Sequence, residues 1–298
     1  MRNNRGKNIL QLHFIVFIFG FTSVIGALIS ISAIPLTIYR MGIAALFLAL
    51  FIFLYDIKKI KLKRSLIIKI LISGIIISLH WITFFYAIKI SNVSITVSMM
   101  SSAAFLTALI EPLFFKKKFL LHEIVLGITS LLGVSIIFNA ELQYINGLIV
   151  ALVSAILVSV FTLLNSTMVN NNSSITISFY ELFTGFIFSL FYFYLFVEKP
   201  LFSIKLSSQD LVLLLILGII CTSYAFTKSI DLINYLKPFT IMMIINMEPV
   251  YAILISLLIL GESEYLSINF YIGFIIVLLS VIINGIFKYK KIKSHIFE

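Results

Sequence analysis

The stretches INMEPVYAIL (Ile245–Leu254) and LIEPLFF (Leu109–Phe115) each place a glutamate directly before a proline within strongly apolar sequence. An ionised carboxylate is costly in the hydrocarbon of a bilayer. Proline removes a backbone donor and bends or breaks a helix. Because the pair occurs twice, at Glu248 and at Glu111, the sequence indicates a duplicated unit whose embedded acidic residues need an explanation.

The composition predicts an integral membrane protein. Of 298 residues, 61% are hydrophobic and only 11% are charged, whereas globular proteins carry about 25% charged residues. Runs such as LVLLLILGII (211–220) are apolar on every side, unlike the alternating strands of a membrane β-barrel. We therefore predict an all-α fold whose helices span the bilayer.

Apolar length and polar breaks predict ten transmembrane helices. The predicted spans are 12–34, 35–55, 66–88, 92–115, 120–138, 147–168, 174–197, 210–228, 238–260 and 268–287. The first is longer than the apolar region of a signal peptide, so we expect it to be retained.

The distribution of basic residues predicts the orientation. With both termini in the cytoplasm, 17 Lys and Arg face the cytoplasm and three face outwards, at Lys89, Lys199 and Lys205. This distribution also accounts for the net charge of +10, so we expect no nucleic acid partner. The predicted location is the plasma (inner) membrane.

The two halves of the chain resemble each other. Tyr86-Ala87 is followed about 25 residues later by the first Glu-Pro pair, and Tyr224-Ala225 similarly precedes the second. We predict two five-helix repeats, 1–140 and 141–298. An odd number of spans inverts the second repeat relative to the first, as in many secondary transporters, whose substrate sites lie near the midplane between the repeats.

Three stretches of the chain resemble a known family. They are LTIYRMGIAALFLAL (36–50), FFYAIKISNVSITVSMMSS (84–102), and Glu-Pro followed by LLILGE (257–262). The chain resembles the EamA family of the drug/metabolite transporter superfamily over nearly its whole length. That resemblance implies efflux of metabolites such as amino acids, by a permease that alternates access to its two sides.

Polar residues within predicted spans are the candidates for the substrate or proton pathway. They are Glu248, Pro249, His80, Trp81, Tyr86, Asn165, Tyr224 and Asn246. Glu248 lies deep in its span, and Pro249 leaves a backbone carbonyl free beside it. Each candidate has a structural alternative, such as a helix-bridging hydrogen bond.

Candidates for a gate or a structural role are Arg40, Glu111, Pro112 and Glu181. Arg40 is placed near the outer face, where a long side chain can reach lipid headgroups. Glu111 is four residues from the basic run that begins at Lys116, which favours an interfacial ion pair. Lys228 and Asp231, three residues apart on a helix, are predicted to pair with each other.

The small residues of VSMMSSAAFLTA (97–108) leave room either for a close helix contact or for a solute, and Met99 and Met100 are expected to add an adaptable apolar wall. Alternatives to a transporter are a channel, a membrane scaffold or an intramembrane enzyme. HEIVL (122–126) lacks the second histidine of a zinc protease motif, and no nucleotide-binding loop occurs. We therefore expect no enzyme, no metal and no cofactor. The expected partners are a small solute, protons and the lipid bilayer, without an obligatory protein partner.

Overall fold

A computed structural model describes residues 5–55, 57–116, 121–169, 172–197, 200–232, 235–236, 244–245 and 247–294. Within these ranges the fold is helical throughout and contains no strand. The α-helices are α1 (Arg5–Leu28), α2 (Ala33–Tyr55), α3 (Ile67–Ile90), α4 (Val93–Met100), α5 (Ala103–Phe114), α6 (Leu121–Ala140), α7 (Ile145–Ser166), α8 (Ser174–Phe196), α9 (Ser208–Leu215), α10 (Ala225–Leu232), α11 (Glu248–Leu260) and α12 (Ile268–Ser294).

Seven helical segments among the described residues are long and apolar enough to cross a membrane. They are Gly6–Leu28, Ala33–Tyr55, Arg64–Ile90, Val93–Phe114, Leu142–Ser166, Ser174–Phe196 and Ser208–Leu232. Val125–Ala140 and Ile268–Ser280 are shorter apolar helices. The predicted ninth span, 238–260, lies partly outside the described residues, so the count of ten stays a prediction.

The first span differs from its predicted bounds of 12–34. Helix α1 begins earlier, at Arg5, and ends at Leu28, and α2 begins at Ala33. Pro35 lies in the first turn of α2, where a proline is tolerated because the missing N–H would have no intrahelical acceptor. Because the sequence stays apolar from the end of α1 to the first turn of α2, hydropathy alone placed both in one predicted span.

Two spans are interrupted at their centres. The segment predicted as 92–115 consists of α4 and α5, and Ser102 Oγ at their junction donates to the carbonyl of Met99 at 2.6 Å. Hydroxyl groups that bond the preceding turn compete with the helical ladder and bend helices. Between α9 and α10, residues Ile216–Tyr224 form a π-helix, a wider turn that is frequent at functional sites.

Helices of the first half pack mainly against helices of the second. Close pairs are α6 with α12, α3 with α7, α3 with α8, α2 with α8 and α1 with α11. A Cβ built on Gly273 would lie 2.7 Å from the carbonyl oxygen of Gly133, so the helices α6 and α12 touch through their backbones at these glycines. Small residues allow this close approach in membrane bundles.

Replacing Gly273 by alanine is expected to lower the free energy of unfolding by about 1–3 kcal/mol, because the new methyl group must separate two packed backbones. The melting temperature of the detergent-solubilised protein measures the effect. Gly6→Ala is the matched control, since nothing lies within 4 Å of a Cβ at Gly6. Equal melting temperatures for the two variants would contradict the close contact.

Carboxylates join segments that are distant in sequence at one side of the bundle, and those of Asp210 and Glu264 join the two halves. These hydrogen bonds are Glu264 Oε1 with Val93 N (2.9 Å), Glu264 Oε2 with Ser94 N (2.7 Å), Asp210 Oδ1 with Ser30 N (2.7 Å), Asp210 Oδ2 with Ser30 Oγ (2.7 Å), and Glu141 Oε1 with Ser267 N (2.9 Å). We call this side, which carries the turns at 29–32, 91–92, 141–144 and 261–267, the linked end. Hydrogen bonds to charged groups contribute about 1.5–3 kcal/mol each, so the linked end holds the halves together.

Large apolar side chains cover the outer surface. Leu258 on α11 is 85% exposed, and Phe53, Leu54 and Ile68 are each 71% exposed. A soluble protein does not expose apolar area on this scale. The surface therefore fits a lipid environment, as the composition predicts.

Candidate functional site

A cavity of about 360 Å³ lies between helices of both halves. This volume is in the range of small-molecule sites, roughly 300–1,000 Å³. Its lining includes Arg40, His80, Trp81, Phe84, Met100, Ser101, Thr107, Phe161, Asn165, Phe226, Ser229, Glu248 and Pro249. The wall is mostly apolar, with a few polar groups converging on the space.

The cavity lies away from the linked end. Phe84, the lining residue of α3 nearest to that end, precedes Ile90 by six residues, or about 9 Å at ~1.5 Å per residue. In the other direction the lining extends to Asn165, which belongs to the last turn of α7. The cavity therefore reaches towards the end of the bundle opposite the linked end.

Arg40 points into the protein and is only 2% exposed. Its guanidinium carbon lies 3.8 Å from the centroid of the Trp81 ring and 5.4 Å from that of Phe85. Such stacking stabilises a desolvated guanidinium by cation–π attraction. The structure corrects the expectation that this side chain reaches lipid headgroups.

The π-helix supplies the partner that orients Arg40. Thr222 Oγ1 donates its single proton to the carbonyl of Leu217 at 2.7 Å, so it can only accept from Arg40 Nε, also at 2.7 Å. Gly218, one residue after Leu217, lets α2 approach, because a Cβ there would lie 2.6 Å from Cγ2 of Ile43. Thr222 and Trp81 together fix the guanidinium.

Glu248 is the first residue of α11 and is half-buried. No described residue donates a hydrogen bond to its carboxylate. It lines the same cavity as Arg40, although these two described residues form no direct salt bridge. Pro249 lies in the first turn of α11, where its missing donor is tolerated. The cavity thus contains opposite charges that are not joined to each other.

His80 lines the cavity and is oriented by Ser154. Its Nδ1 lies 3.0 Å from the carbonyl oxygen of Ser154 and 2.8 Å from Ser154 Oγ, and that hydroxyl donates to the His80 carbonyl at 3.0 Å. A carbonyl can only accept, so Nδ1 carries the proton. In the neutral imidazole, Nε2 is then the acceptor.

Aromatic rings form part of the cavity wall. Trp81 and Phe226 meet edge to face with centroids 5.9 Å apart, and Phe161 stacks on Phe226 at 5.8 Å. Phe84 follows His80 by one helical turn, with ring centroids 5.9 Å apart. These rings offer an apolar surface to a bound solute.

Asn165 joins the cavity to a buried carboxyl group. Its Nδ2 donates to Glu181 Oε1 at 2.7 Å, and Ser73 Oγ donates to the same oxygen at 2.5 Å. Glu181 is fully buried and does not line the cavity. This three-residue network ties α3, α7 and α8 together.

Other predicted residues lie elsewhere. Tyr86 is 50% exposed and lines a separate surface pocket of about 380 Å³ with Gln143 and Tyr144. Tyr224 is 43% exposed and does not line the cavity. Asn246 lies outside the described residues.

The first-half Glu-Pro pair is also separate from the cavity. Glu111 and Pro112 lie near the end of α5 and do not line the cavity.

Lys228 and Asp231 form the predicted ion pair, with Nζ 2.6 Å from Oδ2. Among the described residues, no three His, Cys, Asp or Glu side chains are grouped as metal ligands.

Several lining residues were not predicted from sequence. Phe161, Phe226, Ser159 and Ser229 line the cavity, yet phenylalanine and hydroxyl residues occur throughout the spans. Met100, Ser101 and Thr107 line it as well, whereas Met99 is fully buried and does not. The small-residue segment 97–108 therefore leaves room for a solute, which is one of its two predicted roles.

Known proteins share this architecture. A family model described as "EamA-like transporter family" matches residues 7–139 and 145–286. An uncharacterized transporter of Clostridium kluyveri is 24% identical over 237 residues, which cover 76% of this chain and 75% of the relative. A solved crystal structure matches with a TM-score of 0.64 over 94% of this chain and 95% of the other, at 14% identity. At that identity the structural match shows the fold alone.

Proposed function

The chain belongs to the EamA-like transporter family, within the drug/metabolite transporter superfamily, and we propose that it is a secondary transporter exporting small metabolites, amino acids first, by alternating access. The observation that carries the proposal is the cavity between the two halves, with the separate charges of Arg40 and Glu248 at its wall. Such a cavity can accommodate a small solute and compensate its charges.

The proposed topology has ten spans in two inverted repeats, with both termini in the cytoplasm and the protein in the plasma membrane. The 17-to-three distribution of basic residues supports this orientation. The two matched segments, 7–139 and 145–286, support the division into repeats. In this topology the linked end faces outwards and the cavity extends towards the cytoplasm.

Alternating access then requires the linked end to open. The carboxylates Asp210 and Glu264 would release their partners in the first half, and the helices would close over the cytoplasmic side of the cavity. These contacts are discrete hydrogen bonds, so two alternative packings can exchange.

Transport would be driven by the solute gradient or by exchange for protons. Glu248 is the proposed proton carrier because its carboxylate lines the cavity without a direct partner among the described residues. A carboxyl group that faces a transport pathway can take up a proton on one side and release it on the other.

Proteoliposomes loaded with a mixed pool of amino acids and small metabolites test the proposal. Mass spectrometry of the external medium is expected to show selective efflux of one solute class, faster under a proton gradient than without it. Protein-free liposomes give the leak rate. Folded protein that releases no solute above this leak would contradict the proposed function.

A further inference from the structure

The buried network around Glu181 has more hydrogen-bond acceptors than donors. Ser73 Oγ donates to Glu181 Oε1 at 2.5 Å, and Asn165 Nδ2 donates to the same oxygen at 2.7 Å and to Ser73 Oγ at 3.3 Å. These bonds use the hydroxyl proton of Ser73 and both amide protons of Asn165. Glu181 Oε2 and Asn165 Oδ1 are buried without a partner among the described residues. The network therefore lacks a donor.

Charged groups in the described part of the chain do not compensate an ionised Glu181, whose side chain is 0% exposed. The titratable side chains on the helices around it have other partners: Lys69 on α3 donates to Thr167, His80 on α3 contacts Ser154, Arg40 on α2 donates to Thr222, Lys228 and Asp231 on α10 pair with each other, and Tyr180 on α8 donates to the carbonyl of Ile60. A buried carboxylate without a compensating charge is costly. A neutral carboxyl group avoids this cost and adds the missing donor.

Close packing around the network favours a proton over a metal ion. A Cβ on Gly74 would lie 2.7 Å from the carbonyl oxygen of Glu181, so α3 and α8 touch through their backbones beside it. Ser178 Oγ, three residues before Glu181, is also buried without a described partner, so three oxygen atoms are available. Hard metal cations such as Mg²⁺ take about six oxygen ligands. A proton on Oε2 requires no such shell.

The network joins the two halves near the end opposite the linked end. Ser73 is six residues after the start of α3, and Glu181 is seven residues after the start of α8, or about 9–10 Å at ~1.5 Å per residue. Asn165 belongs to the last turn of α7 and lines the cavity. A rearrangement that closes this side of the cavity moves α3 against α7 and α8, and so disturbs the hydrogen bonds to Glu181.

We propose that Glu181 is a proton-binding site, separate from Glu248, which holds a proton on Oε2 while the linked end is closed. The proton comes from water and returns to water when α3 separates from α7 and α8 and the carboxyl group ionises. The bound proton therefore favours the packing seen here, because this packing binds it more tightly than the rearranged one does. The role of this site in transport rests on the proposed function, whereas the proton itself is measured without transport.

Infrared spectroscopy of the purified full-length protein at neutral pH tests the assignment. Exposed glutamates are ionised at this pH, and the carbonyl stretch of a protonated carboxyl group is separate from the bands of carboxylates. In Glu181→Gln this stretch is expected to lose the intensity of one carboxyl group per molecule. Glu262→Gln, in an exposed turn, is the matched control and is expected to leave it unchanged. Equal intensity in wild type and Glu181→Gln would overturn the assignment.

Melting temperatures give a second test of the same site. Glutamine keeps an acceptor for Ser73 and Asn165 and supplies N–H donors in place of the proton, so Glu181→Gln is expected to fold and to melt near the wild-type temperature at neutral pH. As the pH rises, wild-type Glu181 loses its proton and the packing loses that stabilisation. The wild-type melting temperature is therefore expected to fall further than that of Glu181→Gln. A glutamine variant that does not fold, or equal falls for both proteins, would overturn the assignment.

The outcomes separate this inference from the proposed function. A proton on Glu181 in protein that releases no solute would support the inference and contradict transport. Selective efflux by protein whose infrared band does not change in Glu181→Gln would support transport and overturn the inference.

Discussion

Replacing Glu248 by glutamine is expected to lower the rate of solute efflux from proteoliposomes at least about tenfold, which corresponds to ~1.4 kcal/mol. Glutamine has nearly the same size but can neither carry the negative charge nor exchange a proton. The proton gradient is therefore expected to lose its influence on the remaining efflux. Mass spectrometry of the released solutes, with and without the gradient, measures both effects.

Glu262→Gln makes the same chemical change outside the cavity, in an exposed turn at the linked end. Its efflux is expected to match that of the wild type in both rate and gradient dependence. If Glu248→Gln also transports at the wild-type rate and responds to the gradient, the carboxylate has a structural role. The proposed coupling would then be wrong.

Replacing Asn165 by leucine is expected to lower the free energy of unfolding by about 1–3 kcal/mol, the usual cost of leaving a buried polar group without its partner. The substitution removes the 2.7 Å bond to Glu181 and leaves that buried carboxyl group with Ser73 alone. The shift in melting temperature of the purified protein measures the loss.

A double-mutant cycle separates this hydrogen bond from a packing change. Asn165→Leu together with Glu181→Leu removes both partners, and such apolar pairs are often nearly neutral. The double variant is therefore expected to be more stable than Asn165→Leu alone. Additive losses from the two single substitutions would show that the two groups do not interact.

The angular position of each residue around the axis of α3 decides which of the candidates on this helix line the cavity. At ~100° per residue, Phe84 lies about 40° around the helix from His80, and Tyr86 about 240°. Phe84 lines the cavity, whereas Tyr86 faces the surface. The sequence therefore contained enough information to separate these two residues, once His80 is taken as the reference.

The position of Arg40 depends on contacts that are distant in sequence. Its partners are Trp81 on α3 and Thr222 in the π-helix, 41 and 182 residues further along the chain. An apolar sequence alone does not predict a π-helix. The π-helix also changes the direction in which residues such as Tyr224 project from the helix axis. The inward direction of Arg40 could therefore not be predicted from the sequence.

The repeated Glu-Pro pair has two different surroundings. Glu248 faces the cavity, as its depth in an apolar span predicts, whereas Glu111 lies near the end of α5 and away from it. The distance of each glutamate from the nearest basic run distinguishes the two from sequence alone. The hydrogen bonds of the linked end were not predictable, because they join turns that only the folded chain brings together.

The accessibility of the cavity from the two sides of the membrane tests the central claim most directly. Met100 lines the cavity, and the protein has a single cysteine, Cys221. Met100→Cys in a Cys221→Ser background is placed in oriented vesicles and exposed to a membrane-impermeant maleimide from either side. Leu46→Cys in the same background, 63% exposed on the apolar surface near the middle of α2, is the control and is expected to stay unlabelled. Alternating access predicts labelling of Met100→Cys from both sides, faster from the side opposite the linked end. Labelling of folded protein from one side only, at any reaction time, would contradict it.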